Sequence, residues 1–261
     1  MPRKRSLALF AACVPLFGQD QTPRQTTPGQ IGYQSAPDAE QRKTLLLKDF
    51  QPTSMLHAAV HQVPKAKFYV IDVHNHVNDA ARIDEHMPPG RVVEVMNHTN
   101  VKTIVILTGM WGDKLQQVPY RAPGRHPRTT FVSLHLANWP ENLDYVSSVL
   151  DSYPNVMTEF GAREAELGRQ PRRAREFFLK YQDRIMFGTD IELTEDMYRN
   201  HFRWLETADE YFDYWGYPGQ GRWKIYGVEL PDPVLQKIYR LNAERAFGGF
   251  PGTSAAVKGA R

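Results

Sequence analysis

Residues 68–76, from Phe68 to His76, read FYVIDVHNH. Apart from Asp72, the first six are branched, aromatic or otherwise apolar, the composition of a strand buried on both faces of a parallel sheet. Side chains alternate faces along a strand, so Asp72, His74 and His76 project the same way and the two imidazoles converge. They stand at the strand's C-terminal end, where barrels and open α/β sheets place their chemistry. Two neutral histidines there suit Zn2+ or a similar divalent ion. Alone the triplet is a weak signal, because nine histidines in 261 residues will often produce one by chance.

Outward from this segment the pattern repeats. Val101–Leu107 (VKTIVIL), Phe131–Leu136, Asn155–Phe160 and Arg184–Phe187 are further short apolar runs. Helical stripes lie between them: Val92, Val93, Val95 and Met96, then Leu143, Val146, Val149 and Leu150, then Ala174, Phe177, Phe178 and Tyr181. A last helix has Asp232 to cap it, Pro233 in its first turn and Gly248 to end it. Strands alternating with helices make βαβ units, hence an α/β fold.

Two further segments carry chemistry. Phe187-Gly188-Thr189-Asp190 puts a carboxylate just past a strand, where it can ligate a metal and accept a proton from water. It can equally be a turn or capping residue. His135 sits inside the strand-like run TFVSLHL, where a lone histidine is more often a hydrogen-bonded core residue than a ligand. His57 and His61 have helical metal spacing but lack the glutamate of H-E-x-x-H, and read as arm or loop. The aromatic stretch Tyr198–Tyr226, with Trp204, Trp215 and Trp223, reads as helix packing plus surface loop before it reads as a lid. No G-x-x-x-x-G-K-[ST], G-x-G-x-x-G or G-x-S-x-G is present, which removes support for nucleotide binding and for a serine nucleophile.

Taken in order, FYVIDVHNH, TFVSLHLANWPENL, YPNVMTEFGARE, FFLKYQDRIMFGTD and LNAERAFG resemble the amidohydrolase-related family, which includes enzymes like aminocarboxymuconate-semialdehyde decarboxylase. The resemblance runs from Leu45 to Gly248. It implies a TIM-type (β/α) barrel with a divalent metal, Zn2+ by preference, at its C-terminal mouth. His74 and His76 would be first-strand metal ligands and Asp190 the eighth-strand aspartate, both ligand and proton acceptor. His135 would be the sixth-strand histidine, ligand or acid–base group. Glu159 and Arg163 would lie near the substrate. The implied activity is hydrolysis of a small amide, ester or lactone by metal-activated water. The alternatives are a decarboxylase on the same scaffold and an inactive truncated paralogue.

The barrel is expected to be incomplete. After Leu107 the run TGMWGDKLQQVPYRAPGRHPRT offers neither strand nor helical stripe, and the next strand already resembles the family's sixth. The third to fifth βα units, with the fifth-strand histidine, have no counterpart, leaving five recognisable strands of eight. Such an arc has open edges and an uncovered inner face, so self-association is expected.

The remaining features set context. Arg3, Lys4 and Arg5 followed by the uncharged stretch Ser6–Phe17 read as an export signal, too short to span a bilayer. A lipid anchor at Cys13, in the approximate box Phe10-Ala11-Ala12-Cys13, ranks behind a cleaved signal. The expected organisation is a signal over 1–18, a flexible linker and arm over 19–64, the barrel domain over 65–250 and a disordered tail over 251–261. The protein is thus expected to be exported, periplasmic or secreted. With one cysteine there is no disulfide framework and no cysteine zinc site. Thirty-two basic against 29 acidic residues leave +3, too little to argue for a nucleic-acid partner. The cluster Arg169, Arg172, Arg173 and Arg175 reads as a solvated helix face.

Overall fold

The computed structural model describes residues 7–10, 44–51, 53–79, 82–107 and 130–248. It divides into a unit made of Met1–Cys13 with Ala58–Arg261, and a second unit, Val14–His57. Within the second, a short 3-10 turn spans Leu47–Asp49. Cys13, the segment between Leu107 and Thr130 and the C-terminal tail lie outside the described residues.

All five runs read as strands form parallel strands. In chain order the strands are β1 (Leu7–Phe10), β2 (Val70–Asn75), β3 (Asn78–Asp79), β4 (Arg82–His86), β5 (Val101–Ile106), β6 (Thr130–Ser133), β7 (Val156–Glu159) and β8 (Ile185–Met186). One sheet has the order β1-β6-β7-β8, another pairs β2 with β5, and β3 with β4 forms a separate antiparallel pair. The two parallel sheets are joined where β8 ends: Val73 N donates to Phe187 O at 2.9 Å, and Asp190 N to His74 O at 2.7 Å. The result is a mixed α/β structure with an arc of parallel strands that does not close into a barrel among the described residues.

The helices are α1 (Pro89–Thr99), α2 (Leu143–Ser152), α3 (Glu164–Gly168), α4 (Pro171–Lys180), α5 (Glu195–Glu206), α6 (Asp232–Gln236) and α7 (Asn242–Phe247). Asn142 caps α2 by accepting from Tyr145 N, and Thr194 caps α5 by accepting from Met197 N. Among the described residues, no helix is long and apolar enough to cross a membrane.

Three expectations need correction. The last helix begins after Pro231, with Asp232 inside its first turn, where its carboxylate meets Lys67 Nζ instead of capping. That helix is also interrupted by a five-residue π turn, Lys237–Leu241, between α6 and α7. The π turn leaves Ile238 O free to accept from Phe187 N at 3.0 Å, which ties the last helix to the end of β8. Its end is as expected, with Gly248 at φ 79°. Finally, the strand containing the TFV run stops at Ser133, so His135 lies beyond it.

Two apolar clusters flank the arc, and alternate residues of each strand serve one or the other. Val70, Phe131, Val156 and Ile185 belong to the larger cluster with the helices; Ile71, Val132, Met157 and Met186 belong to the smaller, where Ala243, Ala246 and Phe247 of α7 pack. Around the ends of β7 and β8 the larger cluster is aromatic. Phe160 meets Phe178, Phe187 and Trp204 edge-on, each at 5.6 Å, and all four rings are fully buried. Tyr198 and Trp204, from the stretch weighed as a lid, are core residues of α5.

Candidate active site

The chemistry-bearing side chains emerge where β2, β6, β7 and β8 end. At each of these ends a non-glycine residue adopts a left-handed conformation: Val77 (φ 57°), the run His135–Asn138 (φ 54–57°), Ala162 (φ 51°) and Asp190 (φ 50°). Such a conformation costs an L-residue about 1–2 kcal/mol and persists where surrounding bonds over-determine it, commonly at functional sites. The bonds are present here. Asn75 Oδ1 accepts from Val77 N at 2.6 Å, Ala162 N donates to Thr189 O at 2.7 Å, and the Asp190 amide is held by His74 O.

Asp72 locks β2 to the β8 loop. Fully buried, it accepts from Thr189 Oγ1 at 2.6 Å, Tyr198 Oη at 2.7 Å, and the amides of His74 and Thr189. Burial pushes its carboxyl up to about 6, against the pull of these donors. Asn75, between the two histidines, donates to Thr189 Oγ1 and Ile191 O. Neither residue was singled out as a site residue by sequence reasoning, although Asp72 shares the face of the two histidines. The signal for Asp72 was its polar character inside an otherwise apolar strand.

The predicted ligands are brought together. His74 Nε2 lies 3.2 Å and His76 Nε2 3.0 Å from Asp190 Oδ1, while His135 Nε2 lies 3.4 Å from Asp190 Oδ2. Three imidazoles from two strand ends thus converge on one carboxylate. His135 is turned there by the left-handed run that follows β6, and its Nδ1 meets Gly161 O at 2.7 Å. Arg163 donates to Ala162 O and Asn138 Oδ1 at the edge of this cluster. Glu159, expected near the substrate, is instead fully enclosed. It faces His74 Nδ1 at 3.3 Å and accepts from the amides of His135 and Gly161.

The electrostatics are those of a cation site. Burial disfavours charge on His74, yet Asp190 and Glu159 outweigh it and raise its pKa to about 10. Burial likewise works against ionisation of Asp190 and Glu159, and the histidines overcome it, leaving both carboxyls low. Among the described residues two triads have ligand atoms close enough to share an ion: His74, His76 and Asp190, and His74, His135 and Glu159. Nitrogen and carboxylate donors around a centre that draws in positive charge fit a divalent metal, and the first triad keeps a solvent-facing side.

An uncharacterized TIM-barrel protein from Bordetella bronchiseptica is similar at 21% identity with a TM-score of 0.32, over 49% of this chain and 37% of that one. No curated protein matches. The family model described as amidohydrolase matches residues 119–249. That span contains His135, Glu159, Arg163 and Asp190, and it starts beyond His74 and His76, which the fold itself carries to the same point. With half of its length matched by that model, the chain belongs to the amidohydrolase family.

Proposed function

We propose that the protein is a metal-dependent hydrolase that cleaves a small amide, ester or lactone. The reading is carried by the convergence of the His74, His76 and His135 Nε2 atoms on Asp190. His74, His76 and Asp190 would hold the ion, and two nitrogens with one carboxylate oxygen suit Zn2+. When bound, such an ion supplies Lewis acidity toward both a carbonyl oxygen and water. Asp190, kept ionised by the flanking imidazoles, is the group placed to accept the proton that water releases. His135, against the other oxygen of that carboxylate, takes the proton onward to the leaving group. Arg163, at the rim, orients an anionic part of the substrate.

Elemental analysis of wild type, His76→Ala and Asp190→Ala tests the site: one Zn2+ per chain is expected in wild type and little in either variant. Equal metal in all three removes the assignment. Turnover of an ester, lactone and amide panel in 18O-labelled water tests the chemistry. Label in the product acid supports hydrolysis, whereas carbon dioxide release from a parallel panel of small carboxylic acids, with no cleavage of the esters, lactones or amides, makes the protein a decarboxylase. Export rests on residues 3–17 and is checked by the mature N-terminus in the native host; an intact Met1 in the cytoplasm overturns it.

A further inference from the structure

We infer that Glu159 is the positioning residue of this site, the buried carboxylate that fixes which nitrogens His74 and His135 present to Asp190. The inference rests on the metal site proposed above and adds a role to a residue enclosed away from solvent.

A carboxylate buried without partners costs several kcal/mol, so its partners show what it is for. All of those of Glu159 are parts of the site. Oε1 accepts from His135 N at 2.5 Å and lies 3.3 Å from His74 Nδ1, while Oε2 accepts from Gly161 N. His74 Nδ1 is fully enclosed and makes no regular hydrogen bond among the described residues, so Glu159 is the carboxylate poised to receive its proton. A proton kept on Nδ1 makes Nε2 the nitrogen that would give up its proton for a metal shared with Asp190. His135 is set through the next link. Glu159 holds the amide of Gly161, and the carbonyl of Gly161 meets His135 Nδ1 at 2.7 Å, which again turns Nε2 toward Asp190.

A second observation is independent of these bonds. Gly161 and Gly188 both have ordinary negative-φ or extended backbone, so conformational freedom does not explain them. Space does. A Cβ on Gly188 would stand 2.5 Å from Glu159 Oε2 and 3.0 Å from His74 Cβ; one on Gly161 would stand 2.7 Å from Oε2 and 3.2 Å from His74 Nδ1. The EFG and FGT segments are thus two walls of one slot cut for this carboxylate. With its oxygens taken by backbone amides and His74, Glu159 has the surroundings of an orienting group and not those of a ligand.

The test measures Zn2+ affinity by competition with a chromophoric chelator, and histidine tautomers by long-range 1H–15N spectra, on Glu159→Gln, Gly188→Ala and Asp190→Ala. Glu159→Gln keeps the shape and removes the charge; Gly188→Ala keeps Glu159 and pushes it aside, and carries the test alone if Glu159→Gln fails to fold. Both should bind Zn2+ roughly 10–100-fold more weakly than wild type, with unchanged saturating stoichiometry and a loss of the Nδ1–H form of His74. Wild-type affinity and an unchanged His74 tautomer in both, with Asp190→Ala still losing metal, overturn the inference and leave the proposed site standing. Abolished binding in Glu159→Gln, matching Asp190→Ala, also overturns it by making Glu159 a ligand. If wild type itself binds no Zn2+, the proposed site fails first and the inference goes with it.

Discussion

β5 (VKTIVI) is at least as apolar as β7 (VMTE), yet the protein buries them differently. Every residue of β7 is buried, and the strand ends in Glu159 amid a packed aromatic cluster. β5 is buried only at Val101, and its last residue, Ile106, is 52% exposed. The helix that precedes β5 shares this thinness: Val95 is fully buried in α1, but Val93 is 54% exposed. β7 has strand neighbours on both sides, β6 and β8, whereas β5 has only β2 among the described residues. The difference teaches that burial here follows neighbours and not composition. Among the described residues β5 stands at the border of its sheet while keeping the sequence of an interior strand.

The sharpest way to break this comparison is a cavity on the packed side. Phe187 touches Phe160, Tyr198, Phe202 and Tyr239, so Phe187→Ala should cost about 3–5 kcal/mol in chemical denaturation. A loss below about 1 kcal/mol would mean that the aromatic cluster is not the stabilising half. The electrostatics of the same half give the next effect. The pKa of His74 is raised from 6.5 to about 10, so its contribution is fully present below pH 6.5 and is lost as pH rises toward 10. Asp190 and Glu159, both lowered, are already fully ionised in that window and add no slope. The metal-free protein should therefore denature at progressively lower urea between pH 6.5 and 10, and Zn2+, by displacing that proton, should flatten the profile. A flat metal-free profile would contradict the geometry around His74.

Smaller effects follow. Tyr198→Phe removes one donor from buried Asp72 and should cost about 1–3 kcal/mol by thermal denaturation, loosening the link between β2 and the β8 loop. Ile106→Thr, on the exposed edge, should change stability by no more than about 0.5 kcal/mol. A cost comparable to that of Phe187→Ala would show that β5 is covered in solution, and a concentration-dependent sedimentation profile would identify a second copy as the cover.

Much of this was legible in the primary structure because the signals are local. The period-two run into His74 and His76, the stripe Ala174–Tyr181 and the strand before Asp190 each depend on neighbours a few residues apart, and five of the six parallel strands appear where those signals lie. β3 and β4 carried no such periodicity. Leu7–Phe10, which the sequence reads as part of an export signal, pairs in parallel beside β6, and only backbone partners 123 residues downstream could reveal that register.

What the sequence by itself determined is therefore the inventory: an α/β pattern, histidines and a carboxylate at strand ends, and a barrel that is incomplete. Tertiary structure alone decided how those groups are used. The bonds that aim them span long separations: 117 residues from Thr189 to Asp72, 126 from Tyr198 to Asp72, and 24 from His135 to Glu159. Glu159 carries the same alternation signal whether it faces substrate or the back of His74. Its direction was settled by two glycines from different loops, because only where Gly161 and Gly188 both lack a Cβ is there room for a carboxylate to turn inward.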